Sequence, residues 1–165
     1  TVPQRLAMAA VLLVWLLALL RLLADPTPRL PLLVNWSGSL PYRLAWLDTR
    51  PQLLQRSHLV VYRFDGTAIV DYPGLRAQPF FKRVAGLPGD AVTVQGRTVA
   101  VNGVAVGTAK DRAWDRRPLE PIAPVTVPPG HFYAQGSSED SFDSRYRSSG
   151  LVRADQVLGV ARPIF

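Results

Sequence analysis

Lys82 is one of only two lysines in a chain that carries seventeen arginines. It lies in the apolar segment FFKRVAG, directly after Phe81 and two residues after Phe80. An arginine keeps its proton in a protein, whereas a lysine that is removed from water can lose it. A lysine among apolar neighbours could therefore act as a general base. Such a role requires a second group that gives up a proton.

The segment NWSGSLP, residues 35–41, offers that second group. Ser37 and Ser39 are two residues apart, and in extended backbone such a pair projects to the same side. Ser39 could attack a carbonyl carbon while the Ser37 hydroxyl and the Ser39 amide stabilise the oxyanion. Each motif also has a simpler interpretation, because Ser/Gly turns are common and a lone strand lysine is often a solvated edge residue. The residues alone leave both interpretations open.

Composition excludes several other kinds of chemistry. The chain has no cysteine, which rules out thiolate catalysis and disulfides, and its two histidines, His58 and His131, have no ligand spacing. We therefore expect no metal and no cofactor. The net charge is +7, but the basic residues are not interleaved with aromatic residues and no nucleic-acid motif is present. An anionic membrane surface is the better interpretation of the charge, and we expect no nucleic-acid partner.

The N-terminal segment predicts a membrane anchor. Residues 6–24 read LAMAAVLLVWLLALLRLLA, broken only by Arg21. Nineteen helical residues span roughly 28 Å, close to the hydrocarbon thickness of a bilayer. The proline-rich DPTPRLP that follows is unlike a signal-peptide cleavage site. The sequence thus predicts a single transmembrane helix over residues 1–25, a linker over 26–34 and one domain over 35–165.

The rest of the chain reads as β structure. Short apolar runs with turn residues between them predict strands at residues 58–64, 80–86, 131–136 and 157–165. Gln95-Gly96 and Asn102-Gly103 predict consecutive hairpins, and Leu87-Pro88-Gly89-Asp90 predicts a type II turn. Residues 107–128 predict a loop excursion, and residues 42–55 predict only a short turn. The domain is expected to be mainly β.

Three blocks in this order, SGSLP, KRVAGLPGD and GSSEDSFDSRY, resemble the type I signal peptidase family of Ser/Lys proteases. The resemblance implies a signal-peptidase-like β catalytic domain over residues 35–165. It also implies a single-pass protein of the cytoplasmic (inner) membrane, with this domain on the periplasmic or outer face. By the match, Ser39 corresponds to the nucleophile and provides one oxyanion donor with its amide, Lys82 to the general base and Ser37 to the side-chain oxyanion donor.

The third block supplies the supporting residues that the resemblance implies. Ser141 corresponds to the serine that orients the lysine, and Asp143 with Arg145 corresponds to a structural ion pair. Spacing alone allows the same contact, because residues i and i+2 of a strand share a face.

Three features favour the TraF branch of this family, which matures pilins for conjugative transfer. They are Asn35, the Leu40-Pro41 pair after the serine, and the short segment between the second and third blocks. This resemblance implies a membrane-anchored serine endopeptidase that trims a transfer pilin, joined head to tail in some systems. The expected partners are a precursor polypeptide, an anionic membrane and other transfer-apparatus proteins. The alternatives are a general signal peptidase that acts on secreted preproteins and a non-catalytic anchored β domain of an envelope assembly.

Overall fold

The computed structural model of the chain describes residues 2–24 and 31–164. Residues Val2–Ala24 form helix α1, whose large apolar side chains, such as Leu12, Trp15 and Leu16, are more than half exposed. The helical prediction for this segment is confirmed. Within the described ranges, however, no helix is long and apolar enough to cross a membrane, so the predicted transmembrane anchor over residues 1–25 has no structural support.

Eleven strands follow α1 in the described part of the chain, which confirms the mainly β prediction. They are β1 Leu32–Val34, β2 Leu44–Asp48, β3 Leu59–Arg63, β4 Pro79–Gly86, β5 Ala91–Gln95, β6 Thr98–Val101, β7 Val104–Thr108, β8 Val125–Thr126, β9 His131–Gln135, β10 Val152–Arg153 and β11 Val157–Pro163. A seven-stranded sheet has the order β1-β2-β11-β3-β4-β9-β10, and a four-stranded sheet has the order β7-β6-β5-β8. All strand pairs are antiparallel.

Apolar clusters cover both faces of the seven-stranded sheet, which explains why β3 is buried along most of its length. Side chains alternate along a strand, so neighbouring residues enter different clusters. The first core cluster comprises Val60, Tyr62, Phe64, Ala68, Val84, Phe132, Ala134, Val152 and Val160. The second core cluster comprises Leu40, Ala45, Leu47, Leu59, Val61, Phe81 and Ala161.

The register between β3 and β4 decides which face Lys82 occupies. Val60 lies opposite Lys82, and Leu59 lies opposite Arg83. Directly paired residues of an antiparallel sheet point to the same face. Lys82 therefore lies on the face of the first core cluster, and Arg83 lies on the other face.

Several local predictions can be compared with the structure. The two hairpins form as β5–β6 and β6–β7, and the Asp90 amide donates to the Leu87 carbonyl (3.0 Å) with Gly89 at φ +91°, as a type II turn requires. Two predictions were wrong in part. Residues 32–34 of the predicted linker form β1, while residues 26–30 lie outside the described residues. The segment predicted as a turn at 42–55 contains β2.

Gly159 generates a test of the sheet between β11 and β2. A Cβ atom at Gly159 would lie 2.5 Å from the Asp48 carbonyl oxygen and 2.9 Å from a Leu47 methyl carbon. We expect Gly159→Ala to lower the free energy of unfolding by about 1–3 kcal/mol through overpacking. The measurement is urea unfolding followed by tryptophan fluorescence.

Gly74→Ala is the matched control, because a Cβ atom there would have no neighbour within 4 Å. Its free energy of unfolding should change by less than about 1 kcal/mol. Equal losses in the two variants would contradict the packing described between β11 and β2.

Candidate active site

Lys82 lies almost wholly inside the protein, with 4% of its surface exposed. Its Nζ lies 2.7 Å from the Ser141 Oγ and 5.6 Å from the centre of the Phe80 ring. Phe80 precedes Lys82 by two residues on β4, so both side chains are on the same face of the sheet. Among the residues that the structure describes, the amine thus has one hydrogen-bond partner, Ser141, and one neighbouring aromatic ring, Phe80.

This environment changes the acidity of the lysine. Burial removes the water that stabilises an ammonium, and it lowers the pKa of Lys82 from 10.5 to about 8. The Asp143 carboxylate opposes this shift and the Arg145 guanidinium adds to it, both to smaller extents. A substantial fraction of Lys82 is therefore neutral at mildly alkaline pH. An amine in that form can accept a proton.

A buried ion pair lies beside the lysine. The Arg145 Nε donates to the Asp143 Oδ1 at 2.9 Å and its Nη2 donates to the Asp143 Oδ2 at 3.0 Å, with the two side chains 3% and 0% exposed. The same Nη2 also donates to the Ser138 and Ser141 carbonyl oxygens (2.9 and 3.0 Å). The Asp143 Oδ2 accepts the Gly136 amide at 2.8 Å. The pair thereby holds the loop that carries Ser141.

The same loop holds the segment that carries Ser39. The Ser39 carbonyl oxygen accepts the Ser137 amide at 2.8 Å and the Ser137 Oγ at 3.3 Å. Close packing at Gly136 makes this approach possible: a Cβ atom there would overlap the Ser141 side chain and lie 2.9 Å from the Ser39 carbonyl oxygen. Gly136 thus allows Ser141, the hydrogen-bond partner of Lys82, to pack beside the Ser39 backbone.

The two serine hydroxyls of the SGS segment differ in their contacts. Ser39 is half-buried, and within the described part of the chain its hydroxyl makes no hydrogen bond. Ser37 is exposed, and its Oγ lies 2.8 Å from the Asn35 Oδ1. Among the described residues, Lys82 thus donates to Ser141 and makes no hydrogen bond with Ser39. Catalytic hydrogen bonds are often long or unformed without substrate.

Sequence reasoning did not find two residues of this arrangement. The sequence indicates Asn35 only as a feature of the TraF branch, and it predicts Gly136 only as the end of a strand. The amide of Asn35 contacts four groups of its own loop, and Gly136 leaves the space that Ser141 fills. A polar residue two positions before Ser37 is the signal that could have drawn attention to Asn35.

The low pKa of Lys82 makes stability depend on pH. In the folded state the lysine loses its proton near pH 8, and in the unfolded state near 10.5. Between these values the unfolded chain binds more protons, so stability rises with pH from 8 to 10.5, and this gain is lost as pH falls from 10.5 to 8. From pH 7 to 10.5, we expect the free energy of unfolding of wild type to rise by about 3 kcal/mol relative to that of Lys82→Met.

Urea unfolding at a series of pH values measures this difference. Lys110→Met is the matched control, because Asp140 accepts a hydrogen bond from Lys110 and raises its pKa, and the side chain is exposed. If the free energies of unfolding of wild type and Lys82→Met differed by the same amount at pH 7 and pH 10.5, this result would contradict a buried, destabilised ammonium.

Comparisons with known proteins agree on one family. The model of the family described as signal peptidase, peptidase S26, matches residues 5–165. Over 89 residues the chain is 37% identical to the conjugal transfer protein TraF of Agrobacterium fabrum, covering 53% of this chain and 49% of that protein. Over 111 residues it is 29% identical to signal peptidase I of Bacillus caldolyticus, covering 60% of this chain and 58% of that protein. The chain thus spans about half of the length of the curated relatives it matches.

A solved structure is similar at lower identity. Signal peptidase I from Enterococcus faecalis V583 aligns with a TM-score of 0.40 and 23% identity, covering 67% of this chain and 98% of that one. The family model, by contrast, extends over nearly the whole chain, and the resemblance to this family and to its TraF branch is confirmed. The chain belongs to the signal peptidase family, peptidase S26.

Proposed function

We propose that this chain is a serine endopeptidase in which Ser39 is the nucleophile and Lys82 is its general base. The single observation that carries the proposal is the buried Lys82 amine, which is held by Ser141 at 2.7 Å and has a pKa of about 8. A neutral amine in an apolar site is the activated base that a serine without a histidine partner requires. Family membership adds the reaction class, peptide hydrolysis.

The proposed reaction follows from the protonation states. Neutral Lys82 accepts the hydroxyl proton of Ser39 as the serine oxygen attacks the substrate carbonyl. The Ser39 amide and the Ser37 hydroxyl would donate hydrogen bonds to the resulting oxyanion. The lysine then returns the proton to the leaving amine, which gives an acyl-enzyme that water or an amine resolves. Ser141 orients the lysine, and the Asp143–Arg145 pair supports Ser141.

The Asp143–Arg145 pair also bears on the proton affinity of Lys82. A carboxylate alone beside the lysine would favour the ammonium and weaken the base. Because Arg145 binds both carboxylate oxygens, the charge of Asp143 is already compensated. The pair thus fixes the loop without converting Lys82 into an ion-pair partner.

For the substrate, we propose an exported precursor polypeptide, and a conjugative transfer pilin in particular. The chain is 37% identical to a conjugal transfer protein and 29% identical to a signal peptidase I. The higher identity favours a transfer pilin over a secreted preprotein as the substrate. General processing of secreted preproteins is the second candidate, which that latter similarity favours. A non-catalytic β domain is the third, and it predicts no effect of changes at Ser39 or Lys82.

We also propose that α1 attaches the domain to an anionic membrane, with the catalytic domain on the periplasmic or outer face. Side chains along α1, such as Leu6, Val14 and Leu23, are more than half exposed and would need an apolar environment. The net charge of +7 favours an anionic surface.

The first test of the proposal replaces the nucleophile and the base. Ser39→Ala and Lys82→Arg should each abolish cleavage, because an alanine has no hydroxyl and an arginine keeps its proton. The full chain in detergent is mixed with a transfer-pilin precursor and with a preprotein that has an Ala-x-Ala site, and products are identified by mass spectrometry. Wild-type turnover should rise with pH along a limb near pH 8.

Ser138→Ala is the matched control for the serine change. Among the described residues its hydroxyl bonds only to the Asp140 amide, and the hydrogen bonds of its carbonyl oxygen do not involve the hydroxyl. This variant should cleave like wild type. Cleavage by folded Lys82→Arg, or equal cleavage by Ser39→Ala and wild type, would contradict the Ser/Lys assignment. Preferential cleavage of the preprotein would favour the second candidate substrate class.

The membrane proposal has its own test. In a flotation assay, the full chain should float with vesicles that contain phosphatidylglycerol. After carbonate extraction, it should remain with the vesicles in the pellet. A chain without residues 2–24 should stay in the supernatant, because the exposed apolar surface of α1 is gone. Release of the full chain by carbonate would contradict attachment of this helix through its apolar side chains.

A further inference from the structure

Asn35 is a buried polar residue at the start of the loop that carries Ser37 and Ser39, with 7% of its surface exposed. Its backbone amide donates to the Arg43 carbonyl at 2.9 Å, which continues the pairing of β1 with β2. Its side-chain Nδ2 donates to the Tyr42 carbonyl oxygen at 2.7 Å and to the Leu40 carbonyl oxygen at 3.3 Å. One side chain thus connects the beginning of the loop with its end.

The other half of the Asn35 amide contacts Ser37. The Asn35 Oδ1 accepts the Ser37 amide at 3.1 Å and lies 2.8 Å from the Ser37 Oγ. The two carbonyl partners of the Nδ2 fix the orientation of the amide, since only a nitrogen can donate to them. The Oδ1 can only accept. The Ser37 hydroxyl must therefore be the donor, and its proton points at Asn35.

We propose, building on the proposed function, that Asn35 is a positioning residue of the reaction. It closes the loop from residue 35 to residue 42, and it holds the Ser37 hydroxyl in a defined donor position in the free enzyme. When the oxyanion forms, the Ser37 hydroxyl exchanges the neutral Asn35 oxygen for the charged substrate oxygen. Hydrogen bonds to a charged acceptor are about twice as strong as neutral ones, so this exchange favours the transition state.

Residue chemistry explains why an asparagine suits this position. It combines a donor nitrogen and an acceptor oxygen on a short side chain. An aspartate of the same shape would keep the contacts to Ser37 but would lose both bonds to the Leu40 and Tyr42 carbonyl oxygens. Its charge would also bind the Ser37 hydroxyl more strongly and would oppose a negative oxyanion nearby.

The test compares kcat and KM of Asn35→Ala with wild type, using the full chain in detergent and one fluorogenic peptide with an Ala-x-Ala site. We expect kcat to fall about 10²-fold, because small misplacement of reacting groups costs that much, with KM changed less than about threefold. The ascending limb of the pH–rate profile should stay near pH 8, since Lys82 keeps its surroundings.

A double-mutant cycle separates positioning from a general structural effect. If Asn35 acts through Ser37, then in the Ser37→Ala background Asn35→Ala should cost at least fivefold less in kcat than it does alone. Asn102→Ala is the matched control. The Asn102 side chain also bridges two groups, the Ala91 amide and the Asp90 carboxylate, but it lies in the turn between β6 and β7, so kcat should not change.

Asn35→Asp serves as a second variant of the same shape if Asn35→Ala does not fold, and its kcat should also fall with KM retained. Wild-type kcat in the folded Asn35 variants, or losses that simply multiply in the cycle, would overturn the role of Asn35. Full activity of Ser39→Ala would instead overturn the proposed function, so the two failures are distinguishable.

Discussion

Burial of the Lys82 amine is the constraint on which the rest of the candidate site depends. Removing an ammonium from water is unfavourable, yet Lys82 is buried on the sheet face that the first core cluster covers. The register of β3 against β4 places the lysine opposite Val60, and Phe80 covers its end. A one-residue shift of that register would move the lysine to the opposite face and exchange it with Arg83.

The loop after β9 supplies the hydrogen-bond partner of the buried lysine, Ser141. The Asp143–Arg145 pair is itself buried, and its value here is positional more than energetic, because desolvation offsets much of the attraction in such pairs. Its bonds to the Gly136 amide and to the Ser141 carbonyl set the loop that meets both Lys82 and the Ser39 carbonyl. This loop thereby joins three separated parts of the sequence, which carry Ser39, Lys82 and Ser141.

The burial of Lys82 could be predicted from the sequence, whereas the contacts within the candidate site could not. The apolar neighbours of Lys82 indicated a lysine out of water, because this signal is local to the FFKRVAG segment. β2 was missed because a five-residue strand with a half-exposed Trp46 gives a weak pattern. The contacts of Asn35 reach carbonyl groups five and seven residues away, and they exist only once the loop closes. The bond from Lys82 to Ser141 joins residues 59 positions apart, so only family resemblance could suggest it.

The most direct test of this account is an NMR titration of the two lysines in the Ser39→Ala chain, labelled with ¹⁵N-lysine. The account predicts that Lys82 titrates near pH 8, because burial lowers its pKa. Lys110 should titrate above its ordinary value, because its hydrogen bond to Asp140 raises its pKa, and it serves as the internal reference. A Lys82 resonance that titrates near 10.4, as in a free lysine, would contradict the account.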